Sequence, residues 1–466
     1  MTLPGKQVEL TNWSKSARSL CYVHRVQDVA GIVSALAVAQ TQHLSVIPHG
    51  AGHSYTDAAL NTGGVVLDVS PMRQILSWDA RQGILCVEPG VTLLDLVQLA
   101  WKDGWWPMVS PSTPAVTIGG CAAMNVNGKN AWKFGPFGAS ILSLDVLLAT
   151  GEVRTLLPER DAQLFHAVVG SMGLLGIITS ITVQLQRMPS GYVTVRRRPA
   201  ASLDGIFTLF AEEEHSDFME AWLDGFAQGH QLGRGILTCA TLGNSDHLRP
   251  PRSPMTDRPG RLEIPLVRLA AYLSRPVLMP AVRMANRTRY GWGRVSHPTT
   301  GQTHALFPYT FWPSAAMVGY PMMFPEGVET FQAFVPGRQA MEIFRQVLRY
   351  SQQQGCLPIW CILKQHRRDP FLLSYQVDGF SLELNYPRTS QTAPTLKSVL
   401  QNMIAIVIEA GGRFYLAKDH FLTHAQYRQS IGDEGMDTFL HLKQCYDPET
   451  LLQSDLFRRV FQPLEP

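Results

Sequence analysis

Pro48-His49-Gly50-Ala51-Gly52-His53-Ser54-Tyr55-Thr56-Asp57 is the stretch on which the fold turns. It follows Leu44–Ile47, a short apolar run that reads as a strand. Ahead of that strand, Asp28–Gln40 sets Val29, Ile32, Val33 and Leu36 on one face of a helix. A strand that ends in glycines brings backbone close to a ligand, and successive inward N–H groups make a nest for an anion. A plain tight turn shares this composition. His49 and His53 have the i, i+4 spacing of a helical zinc pair, but Gly50 and Gly52 disfavour a helix there, so no metal site is expected. No Gly-Lys-Ser/Thr follows, which excludes a Walker-type phosphate loop.

Working outward, strands are expected at Val65–Asp68, Ile75–Trp78 and Leu85–Glu88, with a helix at Leu93–Ala100. A second glycine-rich passage, Ser112–Gly138, contains Thr117-Ile118-Gly119-Gly120 and Asn127-Gly128-Lys129-Asn130. It leads into a strand at Leu142–Leu148 and a helix at Ala162–Val168. A third passage, Gly170-x-x-Gly173-x-x-Gly176, precedes Ile177-Ile178. It lacks the Gly-x-Gly start of the dinucleotide fingerprint and follows a helix, so a nicotinamide Rossmann site is disfavoured. This half reads as α+β, with helices packed on mixed sheets.

Beyond about Arg187 the pattern changes. Arg196, Arg197, Arg198 and the loop-like Leu248–Pro259 interrupt it, and Trp222, Trp292 and Trp312 sit in apolar segments. Residues 261–294 carry Arg261, Arg268, Arg275, Arg283, Arg287, Arg289 and Arg294 among Leu, Val and Tyr. Two readings stay open for this segment: a solvated helix face, or a peripheral contact with a membrane surface.

The chain has 466 residues, 45% hydrophobic and 17% charged, so it is globular and long enough for two domains. A net charge of +3 gives no global case for a nucleic-acid partner. The N-terminal residues lack an apolar core, and Ala30–Ala39 is about half of a ~20-residue span, so neither a secretory signal nor a transmembrane helix is expected. Seven scattered cysteines fit no zinc pattern and suit a reduced, cytoplasmic setting.

Each glycine passage is weak alone, but their order and spacing resemble the FAD-binding module of the vanillyl-alcohol-oxidase/PCMH superfamily. Within it the nearest likeness is to the decaprenylphosphoryl-ribose-oxidase-like flavoenzymes. The likeness rests on Gly52–Asp57, Val116–Gly120, Asn127–Asn130, Ser143–Leu147 and Gly173–Ile178. It resumes at Gly411–Asp419 and Tyr446-Asp447-Pro448, and is thin from about 190 to 325.

The resemblance implies a two-part FAD-binding PCMH-type module, residues 1–190 and 410–466, with an antiparallel-sheet substrate domain, 191–409, inserted between. It implies that Pro48, His49, Gly50, Ala51, Gly52, His53, Ser54, Tyr55 and Asp57 hold the pyrophosphate. Ser112, Thr117, Ile118, Gly119, Gly120, Asn127, Gly128, Lys129 and Asn130 would line the flavin and its ribityl chain. Ile178 would meet the nucleotide end, and Tyr415 would border the cofactor. Lys418 falls on the family's active-site lysine, with Tyr55, Gln332 and Lys364 near the substrate. Asn127, Glu383 and Asn385 depart from the branch's pattern, and the last two point to a different substrate. His53 is the attachment residue for covalent flavin in several branches, so it is read either as such a link or as a hydrogen-bonding group near the pyrophosphate. No cysteine stands near Thr113, so a second covalent link is not expected.

The activity implied is FAD-dependent oxidation of a secondary alcohol, on a sugar or lipid-linked sugar, to a ketone. An NAD(P)-dependent short-chain reductase partner would complete an epimerisation. The rivals are an alditol- or aldonolactone-type oxidase using oxygen, a flavin-dependent double-bond reductase, and a flavin- or lipid-binding protein without turnover.

Overall fold

The structure, a computed structural model, describes residues 6–243, 275–296, 301–311, 324 and 326–463. Among these residues three sheets form, and the chain builds the first two before it enters the third.

The first sheet has the order Val8–Thr11, Arg18–Arg25, Val65–Asp68, Val46–His49. Its last two pairings are parallel and are bridged by the helix Val29–Thr41. Asp28 caps that helix by accepting from Gly31 N at 2.7 Å. The buried stripe is Ile32, Ala35, Leu36 and Ala39, whereas Val33, expected on it, is 37% exposed. Position 33 lies about 100° around the helix from Ile32 and faces water. The strand expected at Leu44–Ile47 runs instead over Val46–His49, carried through Pro48 because an edge strand tolerates a missing donor.

The second sheet is antiparallel, in the order Ile75–Asp79, Ile84–Val87, Ile177–Arg187, Ile141–Leu147, Val153–Leu156, with Trp105–Pro107 also on Ile177–Arg187. The expected helices Leu93–Ala100 and Ala162–Val168 form at those residues.

The third sheet is antiparallel throughout. Its order is Gln302–Ala305, Tyr192–Ala200, Gly235–Leu242, Phe218–Leu223, Trp360–His366, Gly379–Pro387, Val328–Pro336, Arg413–Phe414. Period-two alternation divides its two faces. Phe380, Leu382, Leu384 and Tyr386 turn toward helices including Leu203–Glu212 and Gly337–Gln353, as Phe380 against Phe207 and Tyr386 on Ser351 show. Ser381, Glu383 and Asn385 turn the other way, where Glu383 meets Lys418.

Past Phe414 the chain returns to the first sheet. Val46 N donates to Leu451 O at 2.7 Å, and Gln453 N to Val46 O at 3.0 Å. The buried Lys443 ties this return together through Leu174 O at 2.7 Å and Asp447 Oδ2 at 2.6 Å. None of the seven cysteines is disulfide-bonded. Among the described residues no helix is long and apolar enough to cross a membrane.

Candidate functional site

The three glycine passages meet in space. A Cβ on Gly50 would lie 2.4 Å from Thr117 Oγ1, so the first loop touches the second where only glycine fits. Gly173, with φ +83°, packs on Pro48, where an added Cβ would lie 2.4 Å from Cγ. These contacts enclose a cavity with about 940 Å³ of atom-free space. Pro48, His49, Gly50, Ala51, Gly52, His53 and Ser54 line it from the first loop, and Thr117, Gly119 and Gly120 from the second. Ile178 and Tyr415 complete the expected set. Among the described residues no Asp, Glu, Lys or Arg borders it, so its polar groups are backbone amides, hydroxyls and the imidazoles of His49 and His53. That donor set suits a long, mostly apolar cofactor with a phosphate bridge.

A second cavity, with about 1130 Å³ of atom-free space, adjoins the first and shares His53, Val116, Val126, Tyr415 and Ala417 with it. Tyr55, Ser112, Asn127, Lys129, Gln332, Lys364, Glu383 and Lys418 line it. Gln332 and Ile362 both lie opposite Glu383 in the third sheet, which aims them at the same side. Lys418 arrives from the returning segment, which is held to the first loop by Tyr55 N donating to Ala417 O at 2.9 Å and Thr56 Oγ1 to Leu416 O at 2.8 Å.

Charges alternate across this wall. Lys418 Nζ lies 2.6 Å from Glu383 Oε2 and 4.8 Å from the Tyr55 ring centroid. Lys364 and Lys129 flank Glu220 at 3.6 and 3.9 Å. Burial pulls the Lys418 ammonium below the usual lysine range, and the Glu383 carboxylate works against that pull. Burial pushes Glu383 up, but Lys418 and then Lys364 outweigh it and hold the carboxyl below its ordinary value. Among the described residues, Gln332 Oε1, Thr310 Oγ1 and His53 Nδ1 are buried without a hydrogen-bond partner. All three belong to residues lining the second cavity, where a ligand would satisfy them.

His53 stacks on Trp13 with ring centroids 4.5 Å apart, at the junction of the two cavities. Burial lowers its pKa, which favours the neutral imidazole.

Five expected site residues lie off both walls. Asp57 is bound by Arg459 at 2.9 and 2.7 Å and anchors the C-terminal helix Asp455–Val460. Ile118 is fully buried in the core. The backbone of Gly128 packs where a Cβ would sit 2.6 Å from Ser110 O. Asn130 donates to Met108 O at 2.7 Å. Asn385, fully buried, accepts from Thr330 Oγ1 at 2.8 Å and donates to Glu383 Oε1 at 3.2 Å, so it orients Glu383 from behind. The cavities also use residues that the sequence reading passed over: Trp13, Glu220, Thr310 and Trp360 in the second, Met124 and Met172 in the first. Of these, Glu220 carried a signal, a lone charge inside the apolar strand Phe218–Leu223.

Residues 21–157 match a family model described as an FAD binding domain. Over an alignment of 471 residues the chain is 28% identical to decaprenylphosphoryl-beta-D-ribose oxidase of Mycolicibacterium smegmatis, covering 98% of each chain. Partial likenesses also occur. Cytokinin dehydrogenase 3 of Oryza sativa subsp. japonica is 30% identical over 192 residues, 40% of this chain and 36% of its own. D-lactate dehydrogenase of Anaerostipes hadrus is 29% identical over 175 residues, 36% of each. The apolar, glycine-built first cavity fits the FAD that the matching family model describes, and FAD is the cofactor. The chain is an FAD-dependent oxidoreductase, similar in its FAD-binding domain and over its length to enzymes of the FAD-binding PCMH/vanillyl-alcohol-oxidase kind.

Proposed function

We propose that the protein oxidises a secondary alcohol of a sugar or lipid-linked sugar to a ketone, with the substrate in the second cavity. The observation that carries this reading is the Lys418–Glu383 pair, 2.6 Å apart, one residue along the chain from Ala417, which borders both cavities. Bound FAD supplies a hydride acceptor, flavin N5, for the carbinol hydrogen. Lys418 donates to the substrate hydroxyl oxygen and stabilises the negative charge that grows there. The Glu383 carboxylate accepts the hydroxyl proton. Tyr55 holds the ammonium against its ring, and Asn385 fixes the carboxylate. Gln332, Thr310, Lys364 and Glu220 offer donors and acceptors for the hydroxyls of a polyol.

In this reading, residues 1–190 with 410–466 bind FAD and 191–409 bind substrate. Its support is that the third sheet is built from 192–387 and takes only Arg413–Phe414 from beyond. A ketone product would pass to an NAD(P)-dependent reductase partner to complete an epimerisation. His53 stands where both cavities meet, with Nδ1 free of partners among the described residues, which favours a covalent flavin link over a pyrophosphate contact.

Anaerobic mixing of the holoprotein with a panel of sugars and lipid-linked sugars tests the activity. Bleaching of the flavin with a ketone product supports it, and a flavin that no alcohol bleaches refutes it. Acid precipitation tests His53: yellow colour retained in the pellet supports the link, and complete release of FAD excludes it.

A further inference from the structure

The helix Arg275–Ser296 has five arginines and no acidic residue. Its inner face is anchored on the cavity side of the third sheet. Asn286 and Tyr290 are buried, Asn286 Nδ2 donates to Asp224 Oδ1 at 3.1 Å, and Arg234 lies over the Tyr290 ring. Arg289 stacks on Trp222 and Trp360 at 4.4 and 5.3 Å, and Arg283 on Phe226 at 5.4 Å. Met279 and Val282 pack in the cluster that includes Tyr55. Arg283 and Arg289 thus help to hold the helix down.

The outer face is different. Met284, Trp292 and Val295 are 66%, 73% and 87% exposed, the three most exposed large apolar side chains among the described residues. At 100° per residue, Met284 and Val295 fall within about 20° of each other, with Trp292 about 60° to one side. Arg287 and Arg294, both exposed, fall together on the other side. An outward apolar stripe edged by guanidinium groups is unfavourable in water alone. It suits a layer whose surface is anionic and whose interior is apolar, with arginines at the headgroups and Trp at the boundary.

We propose that the outer face of Arg275–Ser296 docks the protein on an anionic lipid surface. Trp360 touches Arg289 on the inner face of this helix and also lines the second cavity, so docking sets that cavity beside the lipid layer. The consequence for a lipid-linked substrate rests on the function proposed above. The docking itself does not, and it is measured without turnover.

The test is flotation of the FAD-loaded protein with phosphatidylcholine vesicles, with and without phosphatidylglycerol. The protein should float with the anionic vesicles, stay behind with the neutral ones, and bind less tightly as salt is raised. The double variant Arg287→Glu/Arg294→Glu should lose at least about tenfold in vesicle affinity. Trp292→Ser/Val295→Ser should lose affinity with no change of charge. Each variant must keep its flavin spectrum, which separates lost docking from lost folding. Equal behaviour on neutral and anionic vesicles, or variants that bind like the parent, would overturn the proposal. So would a concentration-dependent dimer abolished by Trp292→Ser/Val295→Ser, which would make the face a contact between copies.

Discussion

The two adjoining cavities are made in opposite ways. The first is enclosed by three glycine passages and, among the described residues, bordered by no Asp, Glu, Lys or Arg, so it recognises mainly through backbone, shape and a few neutral polar groups. The second is walled by side chains from separate elements, with Lys129, Glu220, Lys364, Glu383 and Lys418 in one cavity. The contrast assigns binding of a large invariant cofactor to the backbone, and chemistry and selectivity to side chains that can change without disturbing it.

The largest expected effect tests the boundary of the first cavity. Asp57→Asn should cost about 3 kcal/mol of stability by leaving Arg459 half-paired and buried, while the protein still takes up FAD. The sign with pH is fixed. Burial raises the Asp57 pKa, but Arg459 outweighs it and holds the value below normal. The contribution is thus present above the unfolded pKa and is lost as pH falls through the folded one. Thermal melts of parent and variant should converge at low pH. A variant that folds normally but rejects FAD would return Asp57 to the cofactor.

Next in size is Lys418→Ala, which should keep the flavin and slow its reduction by about a hundredfold or more. Unchanged stopped-flow reduction would leave the second cavity without its reactive end. Gly50→Ala should do the reverse. The new methyl meets Thr117, so FAD affinity should fall by about 1–2 kcal/mol, by titration of the apoprotein, with flavin reduction intact once loaded.

The same contrast explains what could be read in advance. The first cavity depends on glycines close together in sequence, so Pro48–Ser54, Thr117 and Gly119-Gly120 were recognisable as a binding surface before any fold was known. Asp57, Gly128 and Asn130 fall inside those same motifs but face away, because a motif marks a segment and not which side of it turns inward. The second cavity brings together Trp13, Glu220 and Thr310 with Glu383 by pairing distant strands. No local pattern encodes that register. The α+β class was legible from periodicity, whereas Val33 was misplaced because a helix face is set by what packs on it.

A shift in the pH profile, read beside the rate loss that follows removal of the proton acceptor, separates roles within the charged pair. Burial lowers Lys418 and Glu383 opposes this, so Glu383→Gln should let the ammonium lose its proton at lower pH. The alkaline limb of the flavin-reduction profile should move to lower pH. A limb that stays in place would show that Glu383 does not hold the Lys418 charge.

The central claim is that a carbinol carbon in the second cavity faces a flavin held by the first. It is tested most directly by anaerobic stopped-flow reduction with an alcohol substrate deuterated at that carbon. The account predicts bleaching slowed several-fold by the deuterium, with the ketone as product and with both the rate and the isotope effect dependent on Lys418. A flavin reduced equally fast with either isotope, or by no alcohol at all, would contradict it.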